Sequence, residues 1–141
     1  MNNKYFLIAA LSIFIAGNVH AELPGVKLLV TGADPATGTI EASLFNTAES
    51  FLVEALLQES GEVSEDGSFE AEFVALNEGE YAIVVVHDAN DNGVYDAGLF
   101  GFGGEAVGFS NDASSWFGRP SFDDARFVVD QAGQTITINL D

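Results

Sequence analysis

The sequence has no cysteine and very few basic side chains. Of its 141 residues, only 4 are Lys or Arg against 22 Asp or Glu, which gives a formal net charge of -18 at pH 7. Without cysteine the chain forms neither disulfides nor a lipid-modified N-terminal cysteine, although exported proteins often use them. The strong negative charge repels phosphate groups, and no local basic patch offsets it, so nucleic-acid binding and a peripheral membrane role are argued against.

A long apolar run occurs only at the N-terminus. Met1-Asn2-Asn3-Lys4 is followed by an apolar stretch over residues 5–16 and by small residues that end at Ala21. This order is typical of a secretory signal peptide, and the run is shorter than the ~20 residues of a membrane-spanning helix. We predict a cleaved signal peptide at residues 1–21, a domain at residues 22–141, no membrane span after cleavage, and a periplasmic or secreted location. Because the signal carries one base and no acid, cleavage moves the net charge from -18 to -19.

Short strand patterns separated by turn residues recur along the rest of the chain. Val26, Leu28 and Val30 alternate with other residues, which predicts a strand with one buried face. The run at residues 81–86 is apolar on both faces and predicts a central strand that is covered on both sides. Residues 127–140 predict a closing hairpin. We predict an all-β fold, a single-domain antiparallel β-sandwich of about seven strands of immunoglobulin-like or transthyretin-like type, with a long loop insertion at residues 88–124.

The loop after the central strand has the residue types of a calcium site. Counting Asp88 as position 1, oxygen-bearing side chains stand at positions 1, 3, 5 and 9, Gly93 is at position 6 and the Val94 carbonyl is at position 7. Hard cations prefer several oxygen ligands on a tight turn, and these are the positions used by calcium loops. Leu99 replaces the usual Glu at position 12, so Glu105, Asp112 or water is expected to supply the missing ligand. The predicted metal ligands are Asp88, Asn90, Asn92, Val94, Asp96 and Glu105.

The same loop residues also fit a turn without metal. Asp88, Asn90 and Asn92 can accept hydrogen bonds from nearby backbone amides, as short polar side chains do in turns. The acidity of the chain is spread over its whole length, so it fits a solvated surface as well as a cation site. The sequence leaves both interpretations open.

A set of residues extends from this loop toward the C-terminus. It consists of His87-Asp88-x-Asn90-x-Asn92-Gly93-x-x-Asp96, Gly101, Glu105, Gly108-Phe109-Ser110-Asn111, Pro120-Ser121-Phe122 and Asp124-Ala125-x-Phe127. Together with Gly79-x-Tyr81-Ala82, this combination resembles a bacterial exported family called domain of unknown function 2141. The resemblance implies an all-β sandwich outside the cytoplasm and supplies no activity, substrate or catalytic residue. Gly103 stands where the family usually has a proline before the Glu.

Residues for catalysis are scarce. His20 leaves with the signal, His87 is the remaining imidazole, and no nucleophile-elbow pattern surrounds Ser110 or Ser121. We predict no catalytic residues, no organic cofactor, and a non-enzymatic module whose calcium loop orders an insertion that faces a protein or glycan of the cell envelope. The alternative is a carbohydrate-binding or carbohydrate-active domain that uses the aromatic region around Trp116. Arg119 and Arg126 are expected to pair with acids such as Asp123 or Asp124.

Overall fold

A computed structural model describes residues 23–96, 104–114 and 118–140. Within these ranges, eight strands form two sheets. The strands are β1 (Val26–Thr31), β2 (Thr39–Phe45), β3 (Leu57–Glu62), β4 (Phe69–Phe73), β5 (Gly79–Asp88), β6 (Val107–Phe109), β7 (Phe127–Val129) and β8 (Gln134–Asn139). A 3₁₀ turn, Ser110–Asp112, and a single α-helical turn, α1 (Phe122–Ala125), lie between β6 and β7.

The two sheets have three and five strands. In the smaller sheet β1 is central, antiparallel to β4 and parallel to β8. The larger sheet has the order β3-β2-β5-β6, and β7 pairs with β5 as well. β6 pairs with Val84–Val86 and β7 with Gly79–Tyr81, so the two short strands occupy successive parts of one edge of β5. The predicted all-β sandwich is confirmed, with β1–β8 as a parallel pair among otherwise antiparallel ones.

The main core lies between the sheets. Because successive side chains of a strand point to opposite faces, alternate residues of each strand supply it. Leu28 of β1, Phe73 of β4, Leu44 of β2, Ile83 of β5 and Ile138 of β8 are all fully buried there.

A second, smaller core covers the other face of the larger sheet. Ala82 and Val84 of β5 pack there with Phe45, Phe51 and Phe122. The ring of Phe51 meets those of Phe45 and Phe122 edge to face, with centroids 5.3 and 5.9 Å apart. The prediction that the central strand is covered on both sides is therefore confirmed.

Two local predictions were wrong. The C-terminal strands do not form a hairpin, because β7 pairs with β5 while β8 crosses to the other sheet and pairs with β1. Residue alternation specifies that a segment is a strand but not which strand is its partner. The insertion at residues 88–124, which carries no strand pattern, contains β6, the 3₁₀ turn and α1. Strand β6 has only three residues, which are too few to show an alternation of buried and exposed positions.

Candidate metal site at the end of strand β5

The candidate site begins where β5 ends. Asp88 pairs with Thr39 at the start of β2, so the β1–β2 connection lies against the loop that follows β5. The hydroxyl of Thr39 donates to Asp91 Oδ1 over 2.7 Å. Gly38 has a φ of +84°, and a Cβ at this position would lie 2.1 Å from the Asp88 carbonyl oxygen. The loop is therefore held in close contact with its neighbour, and only glycine fits at residue 38.

Side-chain oxygens of the loop accept hydrogen bonds from the backbone of the same loop. Asp88 accepts from the amides of Asn92 (3.2 Å) and Gly93 (2.8 Å) and is only 7% exposed. Asn90 Oδ1 accepts from the Asn92 amide at 3.0 Å, and Asn92 Oδ1 accepts from the Val94 amide at 2.8 Å. Each of these oxygens has a second lone pair, so a backbone hydrogen bond does not prevent it from binding a cation.

Asp96 joins the loop to the segment that precedes β6. The side-chain amides of Asn90 and Asn92 both donate to Asp96 Oδ2, at 3.0 and 2.8 Å. The Asp96 amide donates to Glu105 Oε2 and the Glu105 amide donates to the Asp96 carbonyl, each at 2.9 Å. The structure thus connects all six predicted ligands, including Val94, through one hydrogen-bond network.

Glu105 carries a buried oxygen that has no hydrogen-bond donor. Within the described ranges, Glu105 Oε1 is the one buried side-chain oxygen or nitrogen atom that has no hydrogen-bond partner. The pKa of Asp88 lies below its ordinary value, chiefly because the Gly93 amide donates to it and further because of the Asn92 amide and the Glu105 carboxyl, while burial acts in the opposite direction. Two carboxylates offer each other no hydrogen-bond donor, so a cation between them would offset their repulsion.

Glu105, rather than Asp112, meets the loop because of the direction of β6. Val107 pairs with Val86 and Phe109 with Val84, so the residue before β6 lies at the Asp88 end of β5. Asp112 follows β6 and lies toward Ile83, roughly 16 Å of strand away from the loop.

A polar cavity of about 330 Å³ opens beside the loop. It is lined by Asp34, Pro35, His87, Ala89, Asn90, Asp96, Gly104, Glu105 and Ala106. Sequence reasoning did not place Asp34 at this site. An antiparallel pairing of β2 with β5 would have placed the connection before β2 beside the loop after β5.

His87 is used inside this arrangement as a structural donor. It is 1% exposed, and its Nε2 lies 2.7 Å from the carbonyl of Thr37, to which it donates. Across the described ranges no three His, Cys, Asp or Glu side chains form a cluster that holds a metal by itself. A cation at this site would therefore also need the amide oxygens of Asn90 and Asn92 or a backbone carbonyl.

Several predictions fall on residues outside the described ranges. These are the signal peptide at residues 1–21, Leu99 at position 12 of the loop, and Trp116, on which the carbohydrate alternative depends. Phe122, an aromatic residue close to Trp116 in the sequence, is buried in the second core. Among the residues described, no helix has the length and apolar character to cross a membrane.

The fold and the site define a class of protein: an all-β sandwich with a carboxylate and amide loop at the end of its central strand. The family model "Uncharacterized protein conserved in bacteria (DUF2141)" matches residues 28–137, and the chain belongs to this family. The resemblance that the motif indicated is therefore confirmed. No curated protein matches the chain. Among solved structures, the chain is similar to the crystal structure of the major plantain pollen allergen Pla l 1, with 12% identity over 84% of this chain and 94% of the allergen and a TM-score of 0.33.

Proposed function

We propose that the protein is a non-enzymatic exported module in which the loop of residues 88–96, together with Glu105, binds calcium. The bound ion holds both ends of the segment between Asp96 and Glu105 and so orders the insertion at residues 88–124. That insertion presents a surface to a protein or glycan of the cell envelope. The role of the ion in this proposal is structural.

The unpaired Oε1 of Glu105 carries the proposal. A buried carboxylate oxygen without a donor is costly, because it has lost its contacts with water and gained none in the protein. This oxygen belongs to a side chain that lines a polar cavity with Asp96 and Asn90 and lies near Asp88. Calcium supplies the missing positive charge and accepts six to eight oxygen ligands in flexible geometry.

The available donors match calcium better than transition metals. All six predicted ligands offer oxygen, whereas zinc and copper sites usually contain imidazole or thiolate. The one imidazole nearby, that of His87, already donates to Thr37. Magnesium demands near-ideal octahedral geometry and keeps several waters, whereas calcium accepts six to eight oxygen ligands, so a set of six protein oxygens favours calcium.

Thermal melts of the purified protein in EDTA, in CaCl₂ and in MgCl₂ of matched ionic strength test the proposal. At a calcium concentration about 100 times the dissociation constant, binding adds about 2.7 kcal/mol to the free energy of unfolding, a rise in Tm of several degrees. We expect magnesium to give a clearly smaller rise.

Glu105→Gln separates a cation site from a metal-free turn. The variant removes a negative charge next to Asp88 and keeps the shape of the side chain, so we expect a higher Tm than wild type in EDTA and a much smaller calcium effect. Asp66→Asn is the matched control, because Asp66 also accepts turn hydrogen bonds, from Ser68 at 2.6 and 3.1 Å, in a different loop. Equal shifts with calcium and magnesium, unchanged in Glu105→Gln, would show that the loop is a turn without metal.

A further inference from the structure

An apolar groove crosses the outer face of the larger sheet along one side of the second core. Val84 and Val86 of β5 form its floor with Val107 and Phe109 of β6, which pair with them across the sheet. Two adjoining cavities of about 310 and 240 Å³ share Leu52, Val84 and Val86 and together make up this outer groove. A lining that is mostly apolar, with a few polar groups, is the usual form of a small-molecule site.

The groove has ends of opposite charge. Arg119 lines the larger cavity together with Tyr95, while Glu41 lines the smaller one. Arg119 is exposed, and no acidic side chain of the described ranges lies within 4.0 Å of its guanidinium. Arg126, by contrast, contacts Glu80 and lies 3.6 Å from Asp123. The expected pairing with Asp123 thus holds for Arg126, and among the described acids Arg119 has no such partner.

The wall of the groove opposite β6 is held in a strained conformation. Leu52 has a φ of 62°, in the left-handed region that a leucine rarely adopts. Its neighbour Phe51 is buried in the second core, which fixes the backbone and directs Leu52 to the groove. Backbone strain of this kind concentrates at functional sites, and here it keeps an apolar wall in place.

We propose that the outer groove binds a small amphipathic molecule that has an apolar chain and a carboxylate at one end. The chain lies over Val84, Val86 and Phe109, and the carboxylate faces Arg119. Glu41 at the other end repels a carboxylate and so fixes the direction in which the molecule lies. Paired hydrogen bonds between guanidinium and carboxylate add geometric preference to the charge attraction.

The net negative charge of the protein does not override this local arrangement. At physiological ionic strength, exposed charges are largely screened beyond about 8 Å, so acids elsewhere on the surface act weakly on a ligand beside Arg119. The overall charge does, however, make a cationic amphiphile the strongest competitor. The test therefore compares ligands that have the same chain and different head groups.

Isothermal titration of the protein in EDTA with decanoate, decanol and decyltrimethylammonium, each below the concentration at which it forms micelles, tests the proposal. EDTA keeps calcium from pairing with decanoate. Because Val107, Phe109 and Arg119 belong to the insertion that the proposed ion orders, the titration is repeated in CaCl₂. The difference in Tm between EDTA and CaCl₂ tests the calcium site separately. We expect saturable binding of decanoate, at least about tenfold tighter than that of decanol, because only decanoate gains the contact with Arg119.

Two matched pairs of variants locate the site. Arg119→Gln should reduce decanoate affinity to that of decanol, whereas Arg126→Gln should leave it unchanged. Val107→Asp, which places an acid in the groove, should weaken decanoate about tenfold or more, and Val128→Asp on exposed β7 should not. No saturable binding, equal affinity for decanoate and decanol, preference for the cationic amphiphile, or insensitivity to Val107→Asp would each overturn the proposal.

Discussion

The two faces of strand β5 differ in how completely they are covered. On the inner face, Tyr81, Ile83 and Val85 are buried between the sheets in one continuous core. On the outer face, Ala82 lies under aromatic rings, but Val86, four residues further on, is only half-buried and borders the outer groove. The inner face therefore maintains the fold, and the described residues cover the outer face at one end only.

The largest expected effect of this difference is on the free energy of unfolding when a leucine of each face is replaced. Leu44 is fully buried in the main core, and Leu52 is half-buried at the edge of the second core. We expect Leu44→Ala to lower the free energy of unfolding by about 2–5 kcal/mol, the range for buried leucines, and Leu52→Ala to lower it by roughly half as much or less. Urea denaturation measures both. Equal losses would mean that the outer face contributes as much to the fold as the inner face.

Ser110 lies at a gap in the edge of β5, between the part that pairs with β6 and the part that pairs with β7. Its buried hydroxyl accepts from the Ile83 amide at 2.8 Å and donates to the Ala125 carbonyl at 2.6 Å. Ser110→Ala leaves the Ile83 amide without a partner, so we expect a loss of about 1–3 kcal/mol in the free energy of unfolding. In hydrogen exchange, protection of the Ile83 amide should fall more than that of Val85. If both fall equally, the hydroxyl is not a local substitute for strand pairing.

The strain at Leu52 predicts that glycine at this position gives a more stable protein than alanine does, the reverse of the usual order. Because residue 52 has a φ of 62°, Leu52→Gly should be more stable than Leu52→Ala by about 1 kcal/mol. At Leu44, within β2, glycine should instead be the less stable of the two, by about 0.5–1 kcal/mol. Urea denaturation of the four variants checks the sign at each position. The same order at both positions would contradict the assignment of backbone strain to Leu52.

The smallest expected effect is a pH dependence of stability at the start of α1, where Ser121 and Asp124 form a capping box. The pKa of Asp124 lies below its ordinary value, first because the Ser121 hydroxyl donates to it at 2.6 Å and then because the Ser121 amide does so at 2.9 Å. A lowered pKa in the folded state adds stability above the unfolded pKa, near 4, which is lost as pH falls through the folded pKa.

Asp124→Asn should therefore reduce the loss of Tm between about pH 5 and about pH 2. Asp123→Asn is the matched control, since Asp123 is the adjacent acid in the same turn and accepts no hydrogen bond of the capping box. If both variants retain the acid sensitivity of wild type, the capping box does not contribute to it.

The strands with a regular period were predictable, and their partners were not. Alternation at Val26, Leu28 and Val30 and the double-sided apolar run of β5 indicated where strands lie, because burial imposes a local period. The parallel pairing of β8 and the crossing after β7 depend on contacts between residues far apart in the sequence. A local pattern therefore carries no information about them.

The candidate site was predicted in its composition but not in its surroundings. The spacing of Asp88, Asn90, Asn92 and Asp96 is local, so the sequence displayed it. Sequence reasoning chose Glu105 as the sixth ligand, with Asp112 and water as other sources, and the direction of β6 places Glu105 beside the loop. Asp34 joins the same cavity only because β2 pairs with β5.

The divided edge of β5 has a consequence for solubility. A long exposed edge strand offers a continuous row of free amides and carbonyls, which is a template for aggregation. Here β6 and β7 contribute three residues each, and the turn at Ser110 interrupts them, so another chain finds no straight edge to extend. At the opposite edge of the sheet, β3 carries Glu59 and Glu62, which repel a second copy. The larger sheet thus resists edge-to-edge association by geometry at one edge and by charge at the other.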